Sequence, residues 1–427
     1  MTEKATISEC RETISSPLRI VVFSNEPVPT LGPLDHSLLG WRKTGGDGVV
    51  AEMQTRMLIQ FGHQAKIMTP TPVGILSQGT NRIFLNSDKI SRYDVMSNPL
   101  GNVSLITDIL RHLAGVQIVY THSLATGAIL ASLKSSNLIG NDIKLVHIGH
   151  TWSREIDWIV KGKESPYKVA MEKVLIQMAD RIVVATNFEA EFLAIRYSDS
   201  EILQEDIYQK TRVVPLGVDI ETYNPEQRYK VRKRNRMKLL KDLSDSLNFF
   251  MVAGINPLKG QFEVVRAFCK VLTEYPDTQI VLSLFGGPRE GKEEYYKEIL
   301  SFVEMQKEQI RRRILFFGIM PSLLACGIGD VFVGPSSTET WYLAATEAMA
   351  CGIPSILSDI PILKEVSQGS SHFVPPLDVD AIAEAMVLLI HDEDYRALLA
   401  EKALARGQGL SWEKSTRILE NVFYSLV

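Results

Sequence analysis

The chain has 427 residues and a formal net charge of −4, with 45% hydrophobic and 22% charged residues. This length predicts two or three domains, the composition is typical of a soluble α/β protein, and the charge argues against nucleic-acid binding. Four cysteines without a CxxC spacing indicate thiols in a reducing compartment. No apolar run approaches the roughly 18 residues that a membrane-spanning helix requires, so we expect a cytoplasmic protein.

Residues 1–17 are polar and include acidic side chains, which favours a disordered leader over a signal peptide. Short Val/Ile-rich runs then alternate with helical stretches, a pattern typical of parallel sheets. The strands predicted in the first half are 19–23, 65–68, 117–120, 144–148, 181–185 and 212–214. Those predicted in the second half are 249–253, 279–284, 314–317, 331–333 and 355–357. Two such clusters predict two doubly wound, Rossmann-like domains, 18–225 and 226–410, followed by a helix at 411–427.

Polar residues in the first half lie where ligands are expected. Gly45 and Gly46 precede a predicted helix, and a glycine loop at a helix N-terminus is a ready anion site. His147 lies inside a predicted strand, and we interpret it as a core residue. His150 and His122 follow the ends of two strands, so both are candidates for the edge of an interdomain cleft.

The segment 228–241 holds eight basic residues at the start of the second predicted domain. We favour a solvated helix here. The alternative is a contact with an anionic membrane surface or with an acceptor.

A strand, a glycine turn and a helix are predicted over 249–268. Lys259 lies at the mouth of this turn, where an ammonium group can neutralise a diphosphate. Gly286 and Gly287 end the next predicted strand. Asp378 and Asp380 have the DxD form of a metal site, but they precede a helix, so an N-cap is the favoured interpretation.

The most informative segment is 331–359, which predicts a strand, a turn, a small-residue helix and a second strand. Glu339 precedes the helix and Glu347 lies within it, eight residues on. Their carboxylates could reach the hydroxyls of one extended ligand at two points, with an anion at the helix N-terminus between them. The alternative is a helix-dipole charge plus a solvated glutamate.

This segment resembles the signature of retaining GT-B glycosyltransferases of the group 1, or family 4, type. The matching parts are Pro335–Ser336, Glu339, the Glu-Ala-Met-Ala run from Glu347, and Gly352-Ile353-Pro354. Lys259 matches the lysine of a second family element. The resemblance implies a GT-B fold, an N-terminal acceptor domain and a C-terminal nucleotide-sugar domain around a central cleft.

The resemblance also implies roles for individual residues. The implied catalytic residues are His150, Glu339 and Lys259. The implied donor-binding residues are Gly45, Gly46, Gly254, Lys259, Gly286, Ile319, Met320, Glu339, Thr340, Trp341, Tyr342, Leu343 and Glu347. The expected acceptor-binding residues are His122 and Trp152.

The implied reaction moves a hexose from a nucleotide-diphosphate sugar to an acceptor hydroxyl, with retention and by a front-side mechanism. No metal and no cofactor beyond the donor substrate are implied. The acceptor could be a small molecule, a saccharide or a lipid-linked sugar, and the protein a monomer or homodimer with peripheral membrane contact as one option.

Two departures from the family pattern keep alternatives open. Gly254 stands where the family has an arginine, for which Arg289 could substitute, and Thr340, Trp341 and Tyr342 replace a Gly-Phe-Gly segment. A GT-B protein with other chemistry, such as a phosphorylase or a pseudo-glycosyl coupling enzyme, is one alternative. A catalytically silent sugar-nucleotide-binding protein is another.

Overall fold

The computed structural model describes residues 16–24, 46–70, 82–85, 103–150, 152, 166–289 and 291–427. The strands form a seven-stranded sheet of order β3-β2-β1-β4-β5-β6-β7 and a six-stranded sheet of order β10-β9-β8-β11-β12-β13. Each pairing between these strands is parallel. Helices connect the strands wherever the connection is described, as parallel crossovers require, so the predicted α/β class with two parallel sheets is confirmed.

The strands of the first sheet are β1 Arg19–Phe23, β2 Gln64–Pro70, β3 Arg82–Leu85, β4 Ile118–Thr121, β5 Lys144–Ile148, β6 Arg181–Val184 and β7 Thr211–Val213. The strands of the second sheet are β8 Leu247–Val252, β9 Ile280–Phe285, β10 Ile314–Gly318, β11 Val331–Gly334, β12 Ser355–Ser358 and β13 His372–Val374.

The helices of the first half are α1 Gly46–Gln60, α2 Val103–His112, α3 Leu124–Ser135, α4 Pro166–Met178, α5 Asn187–Tyr197 and α6 Glu201–Lys210. The next helices are α7 Pro225–Leu240, α8 Gln261–Glu274, α9 Glu293–Glu304, α10 Glu308–Arg311 and α11 Ser322–Ile328. The last are α12 Leu343–Ala350, α13 Pro361–Ser367, α14 Val379–His391, α15 Glu393–Gly409 and α16 Trp412–Tyr424. Two 3-10 turns, Lys241–Leu243 and Pro257–Lys259, lie on either side of β8. In the part of the chain described, no helix is both long and apolar enough to cross a membrane.

All eleven predicted strands are present, with ends that differ by at most two residues. Strands β3 and β13 were missed by the sequence prediction. Both are short edge strands, paired on one side only, which reduces the need for a continuous apolar run. Each starts with a polar residue, Arg82 or His372, and this weakens the strand signal further.

Two crevices follow from the order of the strands. The winding reverses between β1 and β4 in the first sheet and between β8 and β11 in the second. In open parallel sheets ligands bind at such a switch point, outside the carboxyl ends of the strands. His122 follows β4, Gly254 follows β8 and Pro335 follows β11, so candidate site residues lie at both crevices.

The basic segment forms most of α7, so the predicted helix is confirmed, but the helix is not solvated on every face, because Arg236 is buried. Arg228, Arg232 and Arg236 recur every fourth residue and therefore share one face of the helix. Arg232 and Arg236 each lie 2.8 Å from a carboxylate oxygen of Asp330, and Arg228 donates to the Gly329 carbonyl at 3.0 Å. These three cations attach α7 to the loop before β11, a structural use of the charge.

The C-terminal helix α16 contacts the first half of the chain. Ser411 caps it by accepting a hydrogen bond from the Lys414 amide at 3.2 Å. Glu420 lies 2.8 Å from Nε2 of His63, just after α1. Trp412 is buried against Gly217, where an added Cβ would lie 2.5 Å from the Trp412 Cα atom, so its role is one of packing.

Candidate active site

Lys259 and Glu339 form an ion pair at the crevice of the second sheet. The Nζ atom of Lys259 lies 2.7 Å from Oε1 of Glu339, and the Ser336 hydroxyl donates to the same oxygen at 2.7 Å. Glu339 is buried, while Lys259 is half-buried. The sequence predicted both residues at this site, but it did not predict that they pair or that Ser336 joins them.

Local turns fix the position of Lys259. Asn256 caps the 3-10 turn by accepting from the Leu258 amide at 3.2 Å, and the Leu258 carbonyl accepts from the Ser337 amide at 2.8 Å. Gly260 follows with a φ of +80°, and an added Cβ would lie 2.8 Å from Leu377. The turn after β8 is therefore attached directly to the turn after β11, which brings the ammonium group to the carboxylate.

Tyr342 begins the helix that follows Glu339, and its φ of 75° lies in the left-handed region. A glycine adopts this conformation without the steric cost that a side chain meets there. The Tyr342 ring is buried, 5.4 Å from the Phe332 ring, and Lys259 Nζ lies 5.5 Å from its centroid. Packing therefore offsets the strain at the position where the family pattern has a glycine. Trp341 is also buried, and Leu343 is half-buried.

Glu347 lies within α12, eight residues after Glu339, and is half-buried. Burial raises the pKa of Glu347 from 4.5 to about 7, an effect that hydrogen bonds from Ser322 and Tyr223 oppose. The Tyr223 and Ser322 hydroxyls are themselves 2.6 Å apart. Neither was predicted from the sequence, because Tyr223 comes from the segment just before α7 and Ser322 from α11, and both are remote from the glutamate in the chain.

Glycines line the edge formed by β8, β9 and β10. Gly286 has a φ of 139°, and an added Cβ would lie 1.9 Å from the Ala253 carbonyl oxygen, so a side chain does not fit there. Its amide donates to the Gly318 carbonyl at 2.7 Å. Ile319 follows and is 50% exposed, and Met320 is half-buried. This edge offers backbone groups and an apolar surface beside the Lys259 turn.

Two histidines pair at the crevice of the first sheet. Nδ1 of His122, after β4, lies 3.0 Å from Nε2 of His150, after β5, and the two rings stack with centroids 5.2 Å apart. His122 is buried, and burial, followed by the charges of His150 and His147, lowers its pKa well below the usual value. Burial also lowers the pKa of His147 to about 3, in line with the core role predicted for it. The sequence signal for the pair was weak: each histidine follows one of two consecutive predicted strands, but only the structure shows that β4 and β5 are neighbours.

The structure changes the interpretation of the expected acceptor residues. Trp152 is 1% exposed, and its ring packs against those of His147 and Tyr197 at 5.9 and 5.7 Å. Its side chain therefore belongs to the core and has no surface for an acceptor. His122 is 5% exposed, and its imidazole contacts that of His150.

The structure accounts differently for the predicted glycine loop and for the two aspartates of the DxD sequence. Gly45 lies outside the described residues, and Gly46 is the first residue of α1. The proposed DxD pair is engaged locally: Asp378 caps α14 by accepting from the Asp380 and Ala381 amides, both at 3.0 Å. Asp380 lies 2.8 Å from Lys270. The predicted N-cap is confirmed.

The chain belongs to the group 1 and family 4 glycosyltransferases. Residues 232–406 match the family described as "Glycosyl transferases group 1", and residues 44–222 match "Glycosyltransferase Family 4". The site lies mainly within the first of these matches, and the histidine pair lies within the second.

Individual relatives agree with this class. A D-inositol 3-phosphate glycosyltransferase from Saccharomonospora viridis is 26% identical over 290 residues, which are 66% of this chain and 64% of the relative. The match thus spans less than two thirds of that relative's length.

Solved structures establish the architecture. A sucrose-phosphate synthase from Thermosynechococcus elongatus superposes with a TM-score of 0.76 at 19% identity, covering 96% of this chain and 99% of that one. HepE from Anabaena in complex with UDP-glucose superposes with a TM-score of 0.68 at 15% identity, covering 94% of this chain and 98% of that one. The predicted GT-B fold is confirmed.

Proposed function

We propose that the protein is a retaining glycosyltransferase that moves a hexose from a nucleotide-diphosphate sugar to an acceptor hydroxyl in the cleft between its two sheets. The Lys259–Glu339 pair carries the proposal. It places a cation for a diphosphate and a carboxylate for sugar hydroxyls 2.7 Å apart, at the switch point of the second sheet. Membership of the glycosyltransferase class supplies the type of reaction.

Donor binding exchanges the partners of this ion pair. The diphosphate draws Lys259 away from Glu339, and the freed carboxylate oxygen accepts hydrogen bonds from the hexose hydroxyls. Because the charge on the departing diphosphate grows as the glycosidic bond breaks, Lys259 stabilises the transition state more than the ground state. In the front-side mechanism this diphosphate takes the proton of the acceptor hydroxyl, with no metal needed in the step.

The remaining groups bind and orient the donor. Glu347 accepts hydrogen bonds from the ribose, and Ile319 and Met320 provide the apolar surface for the base. His150 meets the sugar from the first domain, and the buried His122 holds the ring of His150 in place. Closure of the two domains then excludes water, so that the donor is not hydrolysed.

The acceptor class is proposed from the relatives. The name of the Saccharomonospora viridis relative indicates transfer to an inositol phosphate, and that of the Thermosynechococcus elongatus neighbour indicates formation of a sugar phosphate. We therefore place small polyols and sugars that carry a phosphate first among the acceptors. Saccharide and lipid-linked acceptors follow.

The test is a matrix of UDP-, GDP- and ADP-hexoses against inositol phosphates, hexose phosphates and neutral sugars. Proton NMR of the product reports the anomeric configuration. We expect one donor to give a product of unchanged configuration, with activity reduced at least about a hundredfold in Glu339→Gln and in Lys259→Ala. Glu413→Gln, an exposed change on α16, is the matched control and keeps full activity.

Three results would count against the proposal. An inverted product contradicts the retaining mechanism. Full activity in Lys259→Ala contradicts the role of the ion pair. Binding of a nucleotide sugar by the wild type without turnover on any acceptor favours the catalytically silent binding protein.

A further inference from the structure

The loop after β9 runs alongside the end of β8. The Ile255 amide donates to the Gly287 carbonyl at 2.8 Å, and the Arg289 amide donates to the Ile255 carbonyl at 3.2 Å. These two bonds extend the pairing of β8 with β9 beyond the ends of both strands, and they hold Arg289 beside Gly254.

The side chain of Arg289 occupies the space that a side chain at position 254 would take. A Cβ added to Gly254 would lie 2.8 Å from Nε of Arg289 and 3.3 Å from its Cγ. Neither contact is with backbone, and the φ of Gly254 lies outside the left-handed region. The turn geometry does not require a glycine at position 254. The glycine therefore serves to leave room for the aliphatic part and the guanidinium of the Arg289 side chain.

The two cations near this loop differ in whether they have a carboxylate partner. Lys259 is paired with Glu339 at 2.7 Å. Arg289 is exposed, and within the described ranges no carboxylate forms an ion pair with it. The turn that carries Lys259 is also tied to Gly254, whose carbonyl accepts from the Gln261 side chain at 3.1 Å. Both cations thus belong to one connected set of loops at the carboxyl edge of β8.

We propose that Arg289 supplies the second cation for the donor diphosphate, reaching across Gly254 from the β9 loop. This assignment rests on the proposed function. In the family pattern an arginine on the β8 turn would project from position 254 itself. Here the guanidinium comes from the neighbouring strand and enters the same volume. Its planar donors can hold two phosphate oxygens at once, whereas the Lys259 ammonium acts as a point charge.

The test measures dissociation constants by calorimetry for the nucleoside diphosphate that the wild type prefers among UDP, GDP and ADP, and for the matching monophosphate. Arg289→Ala is expected to weaken the diphosphate about ten- to a hundredfold, the range for lost hydrogen bonds to a charged group. The monophosphate is expected to weaken much less, because it lacks the second phosphate.

The double variant G254R/R289A is the decisive one. It returns a guanidinium to the same volume from the other strand, and it is expected to recover most of the lost affinity for the diphosphate. Arg234→Ala, which removes an exposed arginine from α7, is the control and leaves both constants unchanged. Melting temperatures confirm that each variant is folded.

The outcomes separate this assignment from the function on which it rests. If the wild type binds none of the three diphosphates, the proposed function fails as well. If the wild type binds one of them and Arg289→Ala binds it equally well, or loses both nucleotides to the same degree, the role of Arg289 is overturned while the proposed function stands. If the folded G254R/R289A variant binds the diphosphate no better than Arg289→Ala does, an arginine at position 254 does not replace the Arg289 guanidinium, and the idea that both occupy the same volume is contradicted.

Discussion

At the residue scale, two charged groups of the candidate site, Lys259 and Glu339, are paired with each other. Glu339 accepts from both Lys259 and Ser336 at 2.7 Å, so its charge is compensated before any donor arrives. A buried carboxylate without partners would carry a large desolvation cost. The sequence predicted the chemical character of both residues, but their pairing depends on the contact between the turns after β8 and β11.

Tyr342 shows how packing overrides a local preference. Its positive φ costs about 1–2 kcal/mol for a residue other than glycine. The ring compensates by filling the space above Gly334, where an added Cβ would lie 2.6 Å from Tyr342 Cε1. A large aromatic residue can therefore stand at a glycine position because a second glycine provides the room for it.

Glu347 gives a prediction about pH. Its pKa is raised from 4.5 to about 7, so the folded protein holds this proton to higher pH than the unfolded chain does. The associated stability is full below pH 4.5 and is lost as the pH rises through about 7. Glu347→Gln cannot ionise, so its melting temperature is expected to fall less than that of the wild type across this interval. Thermal melts at several pH values test this, with Glu413→Gln as the control, and parallel curves for Glu347→Gln and the wild type would contradict it.

At the scale of elements, capping residues predicted where helices begin, and apolar runs predicted most of the strands. The Ser411 and Asp378 caps and eleven strands, nine central ones and the edge strands β7 and β10, were predictable, because a cap or an apolar run depends on residues close together in the chain. The edge strands β3 and β13 were missed, since partners on one side only allow polar residues into the run. The basic segment 228–241 was correctly assigned to a helix, but the sequence did not reveal its carboxylate partner.

Asp330 is that partner, and its removal has a predictable cost. Its two oxygens contact Arg232, Arg236 and the Asn248 amide at 2.8, 2.8 and 2.9 Å. Asp330→Ala leaves the 8% exposed Arg236 without its carboxylate, so we expect a loss of about 3–5 kcal/mol in the free energy of unfolding. Urea denaturation measures it, and Asp242→Ala, an exposed change in the next turn, is the neutral control. A loss below about 1 kcal/mol would show that the α7 attachment does not depend on this carboxylate.

At the scale of the whole molecule, a carboxylate from the second half caps a helix of the first. Glu365 on α13 accepts from the amide and side chain of Asn187 at 2.7 and 2.6 Å, and from the Phe188 amide at 3.2 Å. These amides begin α5, where the helix dipole favours a negative charge. The carboxyl side of β6 therefore meets the helix that follows β12, so that the ligand-binding edges of the two sheets approach each other here.

We expect Glu365→Ala to loosen this contact and to favour a more open arrangement of the domains. Small-angle scattering should report a larger radius of gyration, and the apparent affinity for the donor should fall a few-fold because closure becomes less favourable. Lys364→Ala, the neighbouring change, is the control. An unchanged radius together with an unchanged affinity would mean that the cap does not contribute to closure.

The sequence by itself determined the class of protein, the parallel sheets, the central strands and the main candidate site residues, because these depend on local patterns and short motifs. Only the tertiary structure decided how they combine. It paired Lys259 with Glu339 and His122 with His150, buried Trp152 in the core, and placed Arg289 over Gly254. Each of these contacts joins segments that are distant in the chain, and the order of the strands decides which loops become neighbours.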